Sequence, residues 1–546
     1  MSTVSFLVPA ILLVLPIWLL LRGRALRSPL EQIPGPPSPS FFSGHLEKLF
    51  HRHEGWRLHN LLATEYAAVS RIRGVLGEHI LYVFDPTALH SIIIKDQQYY
   101  EEASFSVSIT SLVFGEGLLA TLHDQHRKQR KILNPVFSIA HMRHMIPIFY
   151  RVAHQLGDGI AKQVGSLSGE VDVLNWMGRT ALELIGQAGL GCSFDPLIED
   201  VHNEYGEAIK KIAPALFSLG FPQFLTPYLI KIGTPRFRRW VVDNLLLNSK
   251  IQHLKGIVDL TYNNAKDLLE KKRLALKEGD EAMMQQIGEG KDIMSILLRA
   301  NMTASESEKL SEEELLGQMA TLIAAATDTT SGALSQILNL LAKHPDAQER
   351  LREEISQASN GEDISYDRLI ELPYMDAICR ETLRLYPPVH EVHRDCKKDM
   401  VLPLANPIRG LNGKWISEIF VPKGTRIIVG IRACNRNKDL WGEDALEWKP
   451  ERWLSPLPGS VTEARIPGVY SNMMTFLGGG RSCIGFKFSQ LEMKVVLSVL
   501  IATFKFSLSD QDIVWNLAGA KYPTVGKTST KPSMPMKVEL LKTASL

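Results

Sequence analysis

One cysteine, Cys483, stands in the run Phe476-Leu477-Gly478-Gly479-Gly480-Arg481-Ser482-Cys483-Ile484-Gly485, a glycine-rich turn that leads straight into an apolar, helix-periodic segment. A thiolate there would face the turn's backbone N–H groups and the positive end of the following helix, both of which stabilise charge on sulfur. Glycines let the backbone approach a flat macrocycle. Phe476 can shield the sulfur from water and Arg481 can pair with a propionate, so the chemistry is that of a single thiolate offered to haem iron. Taken alone, the turn is also open to a buried cysteine that acts as a small hydrophobe.

Two further groups carry chemical potential. Ala325-Ala326-Thr327-Asp328-Thr329-Thr330 places an acid and hydroxyls beside alanines. Small residues make room beside a helix, and hydroxyls bond back to its carbonyls and bend it. The same residues alone also fit a partly exposed polar helix face. Glu381 and Arg384 fall on one helix face at (i, i+3) spacing; such a pair by itself is most simply a solvated salt bridge.

In this company the ten residues around Cys483 resemble, position for position, the haem-binding signature FxxGxRxCxG of the cytochrome P450 family. Ala325–Thr330 is similar to the family's oxygen-activation motif (A/G)Gx(D/E)T(T/S), with Ala326 where glycine is usual. Glu381–Arg384 matches ExxR, and Pro450-Glu451-Arg452 matches the later PER element. The resemblance runs from about Pro34 to the C-terminal region. It implies Cys483 as iron ligand, Thr329 hydrogen-bonding dioxygen, Asp328 relaying protons, and a buried network of Glu381, Arg384 and Arg452. It also implies propionate partners: Arg481; Arg130 with His126, from a segment resembling WxxxR in which His126 replaces tryptophan; and Arg394 beyond Pro388. For Arg130 and Arg394 a solvated basic face is the other reading. Arg127, Lys128 and Lys487 would belong to a basic surface that docks an acidic reductase.

These groups need elements to hold them. Ser311-Glu312-Glu313-Glu314 has capping-box spacing, and the apolar-rich run after it continues to Lys343, where His344-Pro345 stops it. About 32 residues of helix would be roughly 48 Å long, the length of the resembled family's central helix. Arg71–Arg73 and His79–Phe84, with Gly74 and Gly77 between them, predict a hairpin. Helical periodicity is expected from Ile139 to Leu184 and from Val242 to Leu274, and a surface loop over Lys277–Gly290. The fold class expected is α+β, mainly α with small β-sheets.

The 546 residues carry a formal net charge of +2, with no polybasic run and no base-stacking motif, so nucleic acid is not an expected partner. Five cysteines without a CxxC pair argue against a disulfide framework. Val4–Leu21 is apolar apart from Ser5, Pro9 and Pro16, and is followed by Arg22, Arg24 and Arg27. That pattern predicts a single-pass anchor in a thin membrane such as the endoplasmic reticulum, with the bulk of the protein cytosolic. A cleaved signal peptide is the alternative, disfavoured by the missing charged n-region. The expected organisation is an anchor and basic flank over 1–27, a proline-rich hinge over 28–45 and one catalytic domain over 46–546.

The resemblance implies a haem-thiolate monooxygenase with haem b, electrons from NADPH through NADPH–cytochrome P450 reductase, and a lipophilic small-molecule substrate. The pocket would draw on Phe105–Phe114, Ala213–Phe221, the helix near Ala325, Val389–His393 and Tyr522–Val525. The pattern looks closest to fungal members, many of which act in secondary metabolism, for example on terpenoids. An electron-independent haem-thiolate isomerase or dehydratase and a non-catalytic haem-binding protein are the competing classes; the acid–hydroxyl pair Asp328–Thr329 speaks against both.

Overall fold

β-Branched and aromatic residues at Val69–Arg73 (β1) and His79–Val83 (β2), separated by Gly74 and Gly77, pair antiparallel with Val69 opposite Val83. This is the hairpin expected from the sequence. The computed structural model describes residues 28–166, 169–198, 204–278 and 290–541. The apolar run Val4–Leu21 and its arginines lie outside the described residues; among those described, no helix is long and apolar enough to cross a membrane.

The chain divides into two compact units. One takes the described residues up to Ala103, with Glu391–Gly442 and Gly459–Arg481. It holds a five-stranded sheet that adds Tyr100–Glu102 (β3), Val392–Cys396 (β5) and Arg426–Val429 (β8) to the hairpin, in the order β1-β2-β8-β5-β3. β2 is buried along its whole length, as its run of apolar residues requires, and it pairs parallel to β8. A second hairpin joins Met400–Arg409 (β6) to Trp415–Val421 (β7). Asp85 fastens it: the carboxylate accepts from Ala88 N at the start of the helix Pro86–His90 and from Ala405 N on β6. The proline-rich stretch after Ile33 is non-helical and lies along β1, where Arg71 N donates to Pro34 O and a Cβ at Gly35 would collide with Arg71 O.

The other unit comprises Ser104–His390, Glu443–Pro458 and the described residues from Ser482. It is mainly helical, with a three-stranded sheet of Glu170–Asp172 (β4), Pro535–Leu540 (β12) and Phe504–Leu508 (β9), and a hairpin of Ile513–Asn516 (β10) with Tyr522–Val525 (β11). Its axis is the helix Glu312–Lys343, started by a complete capping box between Ser311 and Glu314 and stopped at His344, as the sequence predicts. The helices Val173–Leu184 and Phe486–Thr503 pack against it.

Two expected helices are each split. Ile139–Leu184 resolves into a helix Ile139–Ser166, the short β4, and the helix Val173–Leu184, because Gly169 takes a left-handed φ of 75° and Asp172 caps a new start. Val242–Leu274 falls across two helices, Pro235–Asn244 and Ser249–Glu278, separated by a short exposed turn that ends in Asn248. Apolar periodicity runs through such short interruptions without registering them.

One close approach positions the start of the central helix. A Cβ on Gly317 would lie 2.4 Å from Gly117 N, and one on Gly117 would lie 2.3 Å from Gly317 O. The pair of glycines lets the loop after the helix Ser104–Phe114 touch the helix backbone, and Gln318 Oε1 accepts from Leu118 N at 3.1 Å to lock it. Gly317→Ala is expected to lower stability by about 1–3 kcal/mol, the usual range for overpacking a tight contact. The shift in the urea midpoint of the holoprotein measures it, and an unchanged midpoint would show that the loop can yield.

Candidate active site

Of the five cysteines, Cys483 is the exposed one; Cys379, Cys396 and Cys434 are buried and Cys192 is half-buried. Two residues downstream, Gly485 is the N-cap of the helix Phe486–Thr503. Protein packed round the inner side of the sulfur raises the thiol's pKa, opposed by the Gly485 N–H and the charge of Arg130.

Arg130 does more than supply charge. Its Nη1 donates to the carbonyl of Ser482 at 2.7 Å and its Nη2 to the Ser482 hydroxyl at 3.0 Å, so it anchors the residue next to the cysteine. Its guanidinium thus holds the cysteine turn. His126, one turn earlier on the helix His123–Leu133, is buried. Of the basic residues expected to face a reductase, Arg127 is exposed and paired with Asp124, Lys128 is half-buried, and Lys487 lies over the Phe486 ring.

The first half of the turn belongs to the sheet-containing unit. Gly479 has φ 65° and Leu477 φ 52°. A side chain at Gly478 would strike Pro467 O, one at Gly479 would strike Ile93 O, and one at Gly480 would strike the Gln97 amide, whose Oε1 accepts from Gly480 N at 2.8 Å. Close packing against backbone therefore demands glycine at 478 and 479, while at 480 only the mobile end of Gln97 stands in the way. Phe476 is half-buried and meets Tyr470 edge-on at 5.7 Å, and Arg481 is half-buried at the end of the short turn Gly479–Arg481. In the same unit Arg394 is buried on β5 with Nη1 on Glu102 at 2.7 Å and on His393 O at 2.9 Å; among the described residues its Nε and Nη2 have no hydrogen-bond partner.

In the helical unit the central helix is buried almost all round, with one gap. Ala325 is exposed and Ala324, Ala326, Asp328 and Thr329 are half-buried, whereas Thr327, Thr330 and the residues to either side are buried. The Thr329 hydroxyl donates to Ala325 O at 2.7 Å and that of Thr327 to Ile323 O at 2.8 Å. The helix stays α-helical through this window, so Ala326 in place of glycine is accommodated without a break. Asp328 also borders an open cavity of about 940 Å³ with Lys211, Pro214, His253 and Tyr522 on its walls. Its lining shares Ala213–Ala215 and Tyr522 with the expected pocket segments and also includes the charged groups Arg179 and Lys531.

The ion-pair network is complete. Glu381 and Arg384, on the helix Pro373–Leu385, have no exposed surface. Arg384 Nε and Nη2 donate to the two carboxylate oxygens at 2.8 and 2.7 Å, and its Nη1 donates to Ala445 O at 2.7 Å. Arg452 approaches Glu381 at 3.5 Å while bonding the side chain and carbonyl of Asp444, each at 3.0 Å. Sequence reasoning missed Trp453, whose indole N–H reaches Glu381 at 3.0 Å, and the Lys449 backbone N–H at 3.1 Å. It also missed Trp448, which bonds Thr382 and stacks on His344 at the end of the central helix. The adjacent tryptophan in Pro450-Glu451-Arg452-Trp453 was the one available signal.

Comparison with known proteins agrees with this geometry. A family model described as Cytochrome P450 matches residues 34–526. The chain is 54% identical to Cytochrome P450 monooxygenase 91 of Postia placenta over 96% of its own length and 97% of that relative's. It is 51% identical to Cytochrome P450 monooxygenase 81 of the same fungus, and 47% identical to Ganoderic acid synthetase CYP5150L8 of Ganoderma lucidum, each over 96% of both chains.

Glu381→Gln removes the counter-charge from a guanidinium with no access to water. It is expected to cost about 3–5 kcal/mol and to yield protein without bound haem; Trp453→Phe, which removes one donor, is expected to cost about 1–3 kcal/mol. Haem content per chain and urea midpoints of the two variants test the order.

Proposed function

Because this chain belongs to the cytochrome P450 family and is a monooxygenase with a haem cofactor, we propose that Cys483 would hold the haem iron through its thiolate and that the enzyme oxidises a lipophilic secondary metabolite at a membrane, with electrons from NADPH through a cytochrome P450 reductase. The observation that carries the assignment is the exposed Cys483 thiol at a helix start, its neighbouring carbonyl held by Arg130. The relative named for ganoderic acid synthesis supports a terpenoid-class substrate.

The residues fit haem on three counts: an accessible thiol on a turn with no room for side chains at 478 and 479, a buried Arg394 with two guanidinium nitrogens lacking hydrogen-bond partners among the described residues, and a window of small residues in the central helix. Haem supplies the reduction of dioxygen and the insertion of one oxygen atom into a C–H bond. Cys483 would hold the cofactor through sulfur, while Arg394, Arg481, Arg130 and His126 would meet its carboxylates. Phe476 would shield the sulfur from water once the cofactor is bound. Thr329 keeps its proton on Ala325 O and turns its lone pairs to the window, where it accepts a hydrogen bond and gives up its proton on rotation. Asp328, bordering the cavity, restores that proton from solvent.

Membrane attachment has support beyond the apolar N-terminal run. The helix Pro235–Asn244 buries no residue, and it carries exposed Phe237 and Trp240 among Arg236, Arg238 and Arg239; Tyr228, Leu229 and Ile232 just before it are also exposed. Aromatic and aliphatic side chains interleaved with arginines suit the headgroup region of an anionic bilayer.

Full-length protein in membranes with a reductase is expected to give the red-shifted carbon monoxide spectrum of a thiolate haem and substrate-dependent, NADPH-driven products gaining one oxygen atom; Cys483→Ser should abolish both. Thr329→Ala should keep NADPH consumption while product per NADPH falls by about tenfold or more, the scale of a lost proton-transfer group. Unchanged coupling would remove Thr329 from proton delivery.

A chain lacking residues 1–27 is expected to co-sediment with anionic vesicles. Replacing Phe237 and Trp240 by serine should weaken that binding at least about tenfold, since each buried aromatic contributes about 1.5–3 kcal/mol. Equal binding by the substituted chain would discard this surface as a membrane contact.

A further inference from the structure

Glu492 lies on the helix Phe486–Thr503, which leads out of the cysteine turn. It is fully buried, and neither carboxyl oxygen has a hydrogen-bond partner. The Thr330 hydroxyl of the central helix faces it closely enough to favour its charged form but stands outside hydrogen-bond geometry. Burial prevails, and the carboxyl keeps its proton well above the usual carboxylate range. An unmet polar group in a dry interior is costly, and a methionine of similar length would remove the cost. Packing alone therefore does not account for an acid at this position.

Its neighbour on the central helix is equally specific. Thr327, Thr329 and Ser331 fold their hydroxyls back onto the carbonyls of Ile323, Ala325 and Asp328. Thr330 makes no such bond and is buried where the two helices of this unit pack together. It is adjacent in sequence to Thr329.

Building on the monooxygenase reading, we propose that Glu492 is a positioning residue for oxygen activation: as a neutral carboxylic acid it donates its O–H to Thr330 Oγ1 and so clamps the helix bearing Asp328 and Thr329 to the helix that follows Cys483. A small rotation of either side chain closes the bond. Thr330 then accepts from outside its own helix, and the segment carrying Thr329 is held at a set height relative to the thiolate helix. The proton stays on Glu492 throughout, so no charge is created in the interior.

The test uses the full-length protein with reductase and compares Glu492→Gln, Glu492→Met and Thr330→Val. Gln keeps an N–H donor and should retain wild-type product per NADPH. Met and Val should each lower it several-fold, release the balance as peroxide, and leave haem content and the carbon monoxide spectrum unchanged. Wild-type coupling in either the Met or the Val variant overturns the clamp, as does equal loss in the Gln and Met variants.

Infrared spectroscopy provides a readout independent of turnover. A protonated-carboxyl C=O band should be present in wild type, absent in Glu492→Gln and displaced in Thr330→Val. Absence of the band in wild type, or an unmoved band in Thr330→Val, overturns the proposal even where the Met variant fails to fold. If wild type shows these infrared bands but no NADPH-driven oxidation, the monooxygenase reading fails and the helix contact stands.

Discussion

A carboxylate with no water around it must have every lone pair met by protein, and Glu381 is built to that rule. Its oxygens take two bonds from Arg384, one from the Trp453 indole and one from the Lys449 backbone, with Arg452 alongside. Each donor comes with a piece of chain attached. Arg384 also holds the carbonyl of Ala445, and Arg452 holds Asp444, so the loop from Glu443 to Trp453 is folded around one ion pair. The stacking of His344 on Trp448 extends that order to the end of the central helix. The pair is worth little as a net Coulombic gain once desolvation is counted, but it dictates a single arrangement, because any other leaves a charge unmet.

The same logic of saturation recurs at the cysteine turn, with backbone in place of charge. Gly478 and Gly479 take carbonyls and Gly480 an amide against their Cα atoms, and within the helical unit Arg130 holds Ser482. A thiol on such a turn keeps its direction without help from its own side-chain contacts. The central helix is organised differently: it stays regular, and the hydroxyls of Thr327 and Thr329 donate back to the carbonyls of Ile323 and Ala325.

Much of this was readable from residue order. The capping box Ser311–Glu314, the stop at His344-Pro345 and the β1–β2 hairpin depend on local chemistry, which a single sequence carries. Glu381, Arg384 and Arg452 were legible because a motif fixes their spacing. What stayed hidden were partners defined by the backbone or by distant contacts: the Lys449 N–H, the Ala445 carbonyl and the Gly117–Gly317 contact have no residue type that announces them. The Arg130–Ser482 contact was likewise hidden, since an arginine's sequence position says nothing of a serine carbonyl 352 residues away. Helix ends at Ser166 and Asn244 were missed because apolar periodicity continues across short breaks.

The segments Thr226–Leu229 and Pro235–Asn244 bury no side chain, whereas the central helix and the helix Phe486–Thr503 are buried along most of their length. Opening free energy tracks buried apolar contact. The helical unit therefore has a steep gradient of local stability: the exposed Thr226–Asn244 stretch, with few buried contacts to lose, is expected to open at a lower free energy than the core that holds Glu381.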